Sequence, residues 1–245
     1  MAAAAGWGAL AASSLLLGAL FGLRRRWPDR QIGAVLAFGA GALISAVSFE
    51  LAQEGFEIGG VGWVAIGLAL GALAYFFASR ALDRHGERRG HRPPSRPGIG
   101  AGEGGAALAL GAALDGIPEQ LVLGIGLAAG DGVSGSLLLA IFISNLPEAI
   151  GSASEMHEGG RDRRSILALW LAVALLVMAA TIAGWALADA AGPAFTAAID
   201  GFAAGALLVM LIDSMIPEAA VRTGRIAGLV SVLGFALAAG LSNLS

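Results

Sequence analysis

The chain has 245 residues, a formal net charge of -3, 57% hydrophobic and 13% charged residues, and no cysteine. A soluble domain carries about a quarter charged residues, so this composition excludes an ordinary water-soluble globular fold. The missing cysteines exclude disulfides and thiolate metal sites, and a charge this small gives no reason to expect a nucleic-acid partner.

A membrane span needs about 20 apolar residues, and eight such stretches can be read along the chain. The first is about Ala3 to Leu23; its charges follow the apolar run, which fits an uncleaved span and not a signal peptide. Arg24, Arg25, Arg26 and Arg30 come next, then a second span from about Gln31 to Gln53 and a third from Val61 to Ser79. The polar stretch 80–103, with five further arginines beyond Arg80, three prolines, His85 and His91, reads as a flexible cytoplasmic loop. Spans four (about Gly104 to Ala129) and five (Val133 to Met156) are separated only by Gly130, Asp131 and Gly132, so they should be antiparallel neighbours. Arg161, Arg163 and Arg164 precede span six (Ile166 to Ala188); span seven runs from Ala194 to Ala220, and span eight, after Arg222 and Arg225, from Ile226 to Leu241.

All the arginines fall in the loops after spans one, three, five and seven, while the other loops carry Glu54, Glu57, Asp131 and Asp189. By the positive-inside rule the arginine loops are cytoplasmic and both termini lie outside. The expectation is a single all-α, polytopic domain in the inner (plasma) membrane. A weak repeat adds to it: Phe38 to Ile44 (F-G-A-G-A-L-I) resembles Phe202 to Leu208 (F-A-A-G-A-L-L), and the same offset aligns Glu54 with Glu218. These spans run in opposite directions, as an inverted 3+2+3 repeat of a transporter requires.

Five carboxylates lie well inside apolar spans: Glu50, Asp115, Glu119, Glu148 and Asp213. Each costs about 2.5–3.5 kcal/mol at the bilayer centre when ionised, so together they oppose insertion by something on the order of 10 kcal/mol. No arginine stands inside a span to balance them, which points to a path for cations or protons. Three of them belong to twin stretches, A-L-D-G-I-P-E-Q (Ala113 to Gln120) and I-S-N-L-P-E-A (Ile143 to Ala149). Asp115 and Glu119 share a helix face, as do Ser144 and Glu148. Folding about Asp131 brings the four within about 10 Å of one depth, at 1.5 Å per residue. Pro118 and Pro147 each free a carbonyl one turn back, and local bends there could turn oxygens toward a cation; the plain alternative is two proline kinks with hydrogen-bonded glutamates. Glu50 and Glu54 stand at the outer end of span two as a cation entrance; Asp213 and Glu218 lie towards the inner end of span seven; Glu155, His157 and Glu158 close span five as an exit funnel. For Glu54, Glu57 and the span-five rim, a solvated helix end is the competing reading.

With these motifs the chain resembles the ZIP (Zrt/Irt-like) family of divalent metal transporters over nearly its whole length. That family has an H-N-x-P-E-G-type motif on span four and a related one on span five, where D-G-I-P-E-Q and S-N-L-P-E-A stand here; Gly201 to Ala219 is similar to its span seven. The resemblance implies a metal site of Asp115, Glu119, Ser144 and Glu148. The adjacent second site would fall on Gly116 and Asn145; Gly116 offers no ligand and span six no glutamate, so a full binuclear centre is not expected. The family's histidine is Asp115 here. Oxygen donors suit manganese, calcium or magnesium, and carboxylates also bind zinc; zinc is the family default, with iron, manganese and cadmium open. The cation is cargo, and no cofactor or enzymatic activity is expected. The partners expected are a divalent cation and the lipid bilayer, with a homodimer left open. Two rival readings use the same acidic path: a proton or organic-cation transporter or channel without metal, and an intramembrane hydrolase with Asp115 and Asp213 as its dyad.

Overall fold

The computed structural model describes residues 1–88, 104–129, 135–189 and 192–242. Among the described residues every regular element is a helix: α1 (Ala2–Arg24), α2 (Asp29–Ala46), α3 (Glu54–Gly59), α4 (Val61–Arg88), α5 (Gly104–Ala129), α6 (Gly135–Glu158), α7 (Arg163–Asp189), α8 (Pro193–Met210), α9 (Ile216–Thr223) and α10 (Ile226–Ser242). A π-helical segment, Val47–Gln53, joins α2 to α3, and a second, Leu211–Met215, joins α8 to α9. Among the described residues six helical runs are long and apolar enough to cross a membrane: Ala2–Arg24, Asp29–Gly59, Val61–Ala81, Gly135–Glu158, Arg163–Ala188 and Pro193–Thr223. The chain is a multi-pass membrane protein. The remaining apolar segments, Gly116–Ala128 and Ile226–Ser242, are shorter and fall where spans four and eight are expected.

Local chemistry sets the helix ends. Asp162 accepts a hydrogen bond from the backbone N–H of Ser165 at 2.9 Å and caps α7. Pro193 opens α8 at a position where its missing N–H costs nothing. Gly60 (φ 85°) and Gly224 (φ 69°) stop α3 and α9 in left-handed conformations that other residues rarely adopt.

Two boundaries differ from the sequence expectation. The helix of α4 runs on through Arg88, so the start of the polar stretch is helical. Arg222, placed by the sequence in a loop, belongs to the last turn of α9. The remainder of the polar stretch, with His91, and the Asp131 turn lie outside the described residues. Pro118 and Pro147 sit inside α5 and α6, which continue past them. The two π-helical segments lie elsewhere, and their i→i+5 hydrogen bonds accommodate an extra residue within a continuing helix.

The helices pack as two groups. In one, α1 lies against α6 and α7, and α5 against α7; Leu15, Met156, Ile166 and Trp170 are fully buried there. In the other, α4 packs on α8 and α10 on α2, around Leu36, Leu43, Leu207 and Met210. The groups meet where α2 crosses α6 and α5 crosses α8. Lipid offers no hydrophobic drive between helices, so contact rests on close van der Waals approach at small residues. A methyl group added to Gly41 would lie 1.8 Å from the carbonyl oxygen of Ser231, and one added to Gly234 would lie 2.1 Å from that of Phe38. The α4–α8 pair has the same design: Gly205 on Leu68 at 2.1 Å and Gly71 on Phe202 at 1.8 Å. Large apolar side chains such as Leu70, Phe77, Leu229 and Val232 are left exposed on the outer faces, where lipid would cover them.

Candidate metal centre

The twin P-E stretches face each other where α5 meets α6. Glu119 on α5 is buried, with 1% of its surface exposed. Its two carboxylate oxygens are taken by two consecutive residues of α6. The Ser144 hydroxyl lies 3.0 Å from Oε1 and can donate to it, and the Asn145 amide Nδ2 donates to Oε2 at 3.0 Å. Ser144 and Asn145 are themselves buried. Consecutive residues on a helix diverge by about 100°, so both reach one carboxylate only because Glu119 projects between them. Each carboxylate oxygen has about two lone-pair directions. These two donors fix the carboxylate's orientation, as outer-shell partners do in metal sites.

Glu148 lies one turn beyond Ser144 on α6 and is half-buried. Asp115 lies one turn before Glu119 on α5; its side chain is outside the described residues. A methyl group at Gly116 would come 4.0 Å from the Asn145 oxygen Oδ1, so that oxygen faces the gap between α5 and α6. Among the described residues no three His, Cys, Asp or Glu side chains gather to hold a metal. What the described residues bring together is Glu119 with Ser144 and Asn145, and amide and hydroxyl groups complete the polar surface.

The other expected path residues are distributed along the same crossing of helices. Glu50, on the first π-helical segment, accepts a hydrogen bond from Ser136 at the start of α6, and its Oε2 is buried without a hydrogen-bond partner among the described residues. Glu54 faces Asp200 of α8, close enough for their like charges to interact. Asp213 lies on the second π-helical segment and is exposed. Glu218 and Glu155 meet at Arg222, which also reaches Asp29. His157 is exposed on the last turn of α6.

Three residues of this polar system escaped the sequence reading. Asp200 is 4% exposed; it stands two turns into α8, near enough to the helix start to pass for a solvated end. Arg222 follows Glu218 by one helical turn, and that spacing could have signalled the pair. Gln120, next to Glu119, is fully buried and accepts a hydrogen bond from Thr181 of α7; an amide directly after the P-E pair was the available clue.

The chain matches no family profile. It is similar to a curated plant protein, "Putative zinc transporter" of Arabidopsis thaliana, at 28% identity over 195 residues. The match covers 78% of this chain and 30% of that protein, so the chain spans less than a third of the relative's length.

Proposed function

We propose that this protein carries divalent metal cations across the membrane into the cytoplasm, as a member of the ZIP family, with the Glu119 centre as its cargo site. The observation that carries this reading is a buried carboxylate held by a serine and an asparagine of the facing helix, between twin P-E motifs. The similarity to a plant protein named as a zinc transporter supports the cargo class. Zinc is the default cargo, with iron, manganese and cadmium as the other candidates. Glu119 and Glu148 supply the charge; Asp115 adds a third oxygen; Ser144 and Asn145 orient or complete the shell. Transport is by alternating access, with the spans around α2 and α8 rocking against a unit carrying α5 and α6. Glu50 and Glu54 form the entrance.

An eight-span, 3+2+3 inverted repeat underlies this cycle. It is supported by the offset that aligns Phe38 with Phe202, because the same offset aligns Gly41 with Gly205 and the start of one π-helical segment, Val47, with that of the other, Leu211. The arginine-rich end is cytoplasmic, both termini are outside, and the membrane is the inner (plasma) membrane.

Uptake of zinc and manganese into proteoliposomes tests the reading. The unmodified protein should take up metal, and Glu119→Ala and Glu148→Ala should each reduce the flux at least about tenfold, the factor equivalent to 1.4 kcal/mol. Equal flux in all three proteins would sink the site. Proton or organic-cation flux without metal uptake would favour the acidic path without metal.

A further inference from the structure

Among the arginines whose side chains are described, Arg222 stands apart. Its side chain is 10% exposed, although it stands at the arginine-rich end. The guanidinium is wedged among three helices. Nε and Nη2 bond Glu218 on its own helix at 2.9 and 2.8 Å, Nη1 bonds Asp29 at the start of α2 at 3.1 Å, and Nη2 lies 3.7 Å from Glu155 near the end of α6. The carboxylates are the wetter partners, with side-chain exposures of 40%, 76% and 51%. The arrangement is that of a bolt: a buried cation, held from the water side by acids on three separate helices.

Its position relative to the centre follows from α6. Glu148, Gly151, Ser152 and Glu155 recur at helical spacing along one side of that helix. Among the described residues beyond its own helix backbone, the atom within 4 Å of a methyl group added at Gly151 is Nη2 of Arg222, at 3.8 Å. One turn from Glu148, Ser152 keeps a buried hydroxyl without a hydrogen-bond partner among the described residues. A line of oxygens therefore runs from the centre toward the arginine-rich end and finishes at the guanidinium.

We infer that Arg222 is the gate on this line, a tethered cation that closes the route from the Glu119 centre to the arginine-rich face. Closed, it places a positive charge across the path of a positive cargo and neutralises part of the acid cluster. Withdrawn, it leaves Asp29, Glu155 and Glu218 as a net negative mouth that draws a cation from the centre toward the arginine-rich face. The role as a gate for metal rests on the transport reading above; the closure itself does not.

The chain has no cysteine, so a single introduced thiol reports access without background. Gly151→Cys in the full chain, reconstituted in liposomes with chelator present, would be reacted with a membrane-impermeant maleimide applied at the arginine-rich side. The thiol should react slowly while Arg222 is in place. Adding Arg222→Gln should raise the rate at least about tenfold, corresponding to 1.4 kcal/mol. A neighbouring guanidinium promotes the thiolate, so removing it would slow the chemistry; a faster reaction must come from access. Glu155→Gln with Glu218→Gln, Arg222 retained, should also speed labelling, and this pair decides the matter where Arg222→Gln does not fold. Gly62→Cys, at the opposite end, should not respond to any of these changes. Unchanged rates at Gly151→Cys would overturn the gate. Because no metal is present, a failure of metal uptake would leave this result standing.

Discussion

Glu119 shows what holding a single carboxylate in a buried place requires. Desolvating an ionised carboxylate is offset only by strong, well-directed partners, and here a hydroxyl and an amide supply them from one side. The amide matters most for orientation, because Ser144 can also turn to the carbonyl of Ile141 at 3.0 Å. Asn145→Ala should therefore weaken metal binding about 10–100-fold, the usual loss for an outer-shell partner, with folding retained. A competitive metal titration of purified protein reads this directly; unchanged affinity would remove Asn145 from the centre. A second residue-scale test concerns Gln120, whose Nε2 is already buried without a partner among the described residues. Thr181→Val takes away the donor to its oxygen and should cost about 1–3 kcal/mol. A fall in melting temperature in detergent of about 2–4 °C per kcal/mol is the expected readout for a chain of this length.

Among the elements, glycine decides how near two helices can come. At Gly41 and Gly71 the neighbouring carbonyls stand where a side chain would begin. Gly41→Ala and Gly71→Ala should each destabilise the protein by about 1–3 kcal/mol through overpacking. Gly62→Ala, with open space around it, should be neutral or mildly stabilising because alanine favours helix. Equal melting temperatures for the three variants would argue against the tight α2–α10 and α4–α8 contacts. Much of this level was legible in the sequence, since a bilayer demands long apolar runs and the arginines mark their ends. The P-E stretches were legible for the same reason: a carboxylate in an apolar helix stands out. The π-helical segments were not, because V-S-F-E-L-A-Q and L-I-D-S-M have the composition of any apolar helix. For Asp213 the depth was readable from the sequence, and its exposed facing was not. The pairing of Arg222 with Asp29 was hidden because it joins opposite ends of the chain.

For the molecule as a whole, the relation between cargo and protons is the accessible quantity. A cation bound by carboxylates requires them deprotonated, so loading should release protons and affinity should fall as the pH falls. Titrating zinc or manganese into lightly buffered protein would record the protons released, and binding without release at any pH would count against a carboxylate centre. With Asp115 in place of a histidine, manganese should compete better than it would at an imidazole site, which favours zinc.

The two π-helical segments have one more consequence. Each absorbs a surplus residue without interrupting its helix, so each fixes the rotational phase of everything beyond it. Were Val47–Gln53 wound as regular α-helix with every residue kept, Glu54–Gly59 would turn by about 100°. The protein would still traverse the bilayer, but Glu54 would look away from Asp200. The segment works as a phase-setting device, in which the count of residues matters more than their identity.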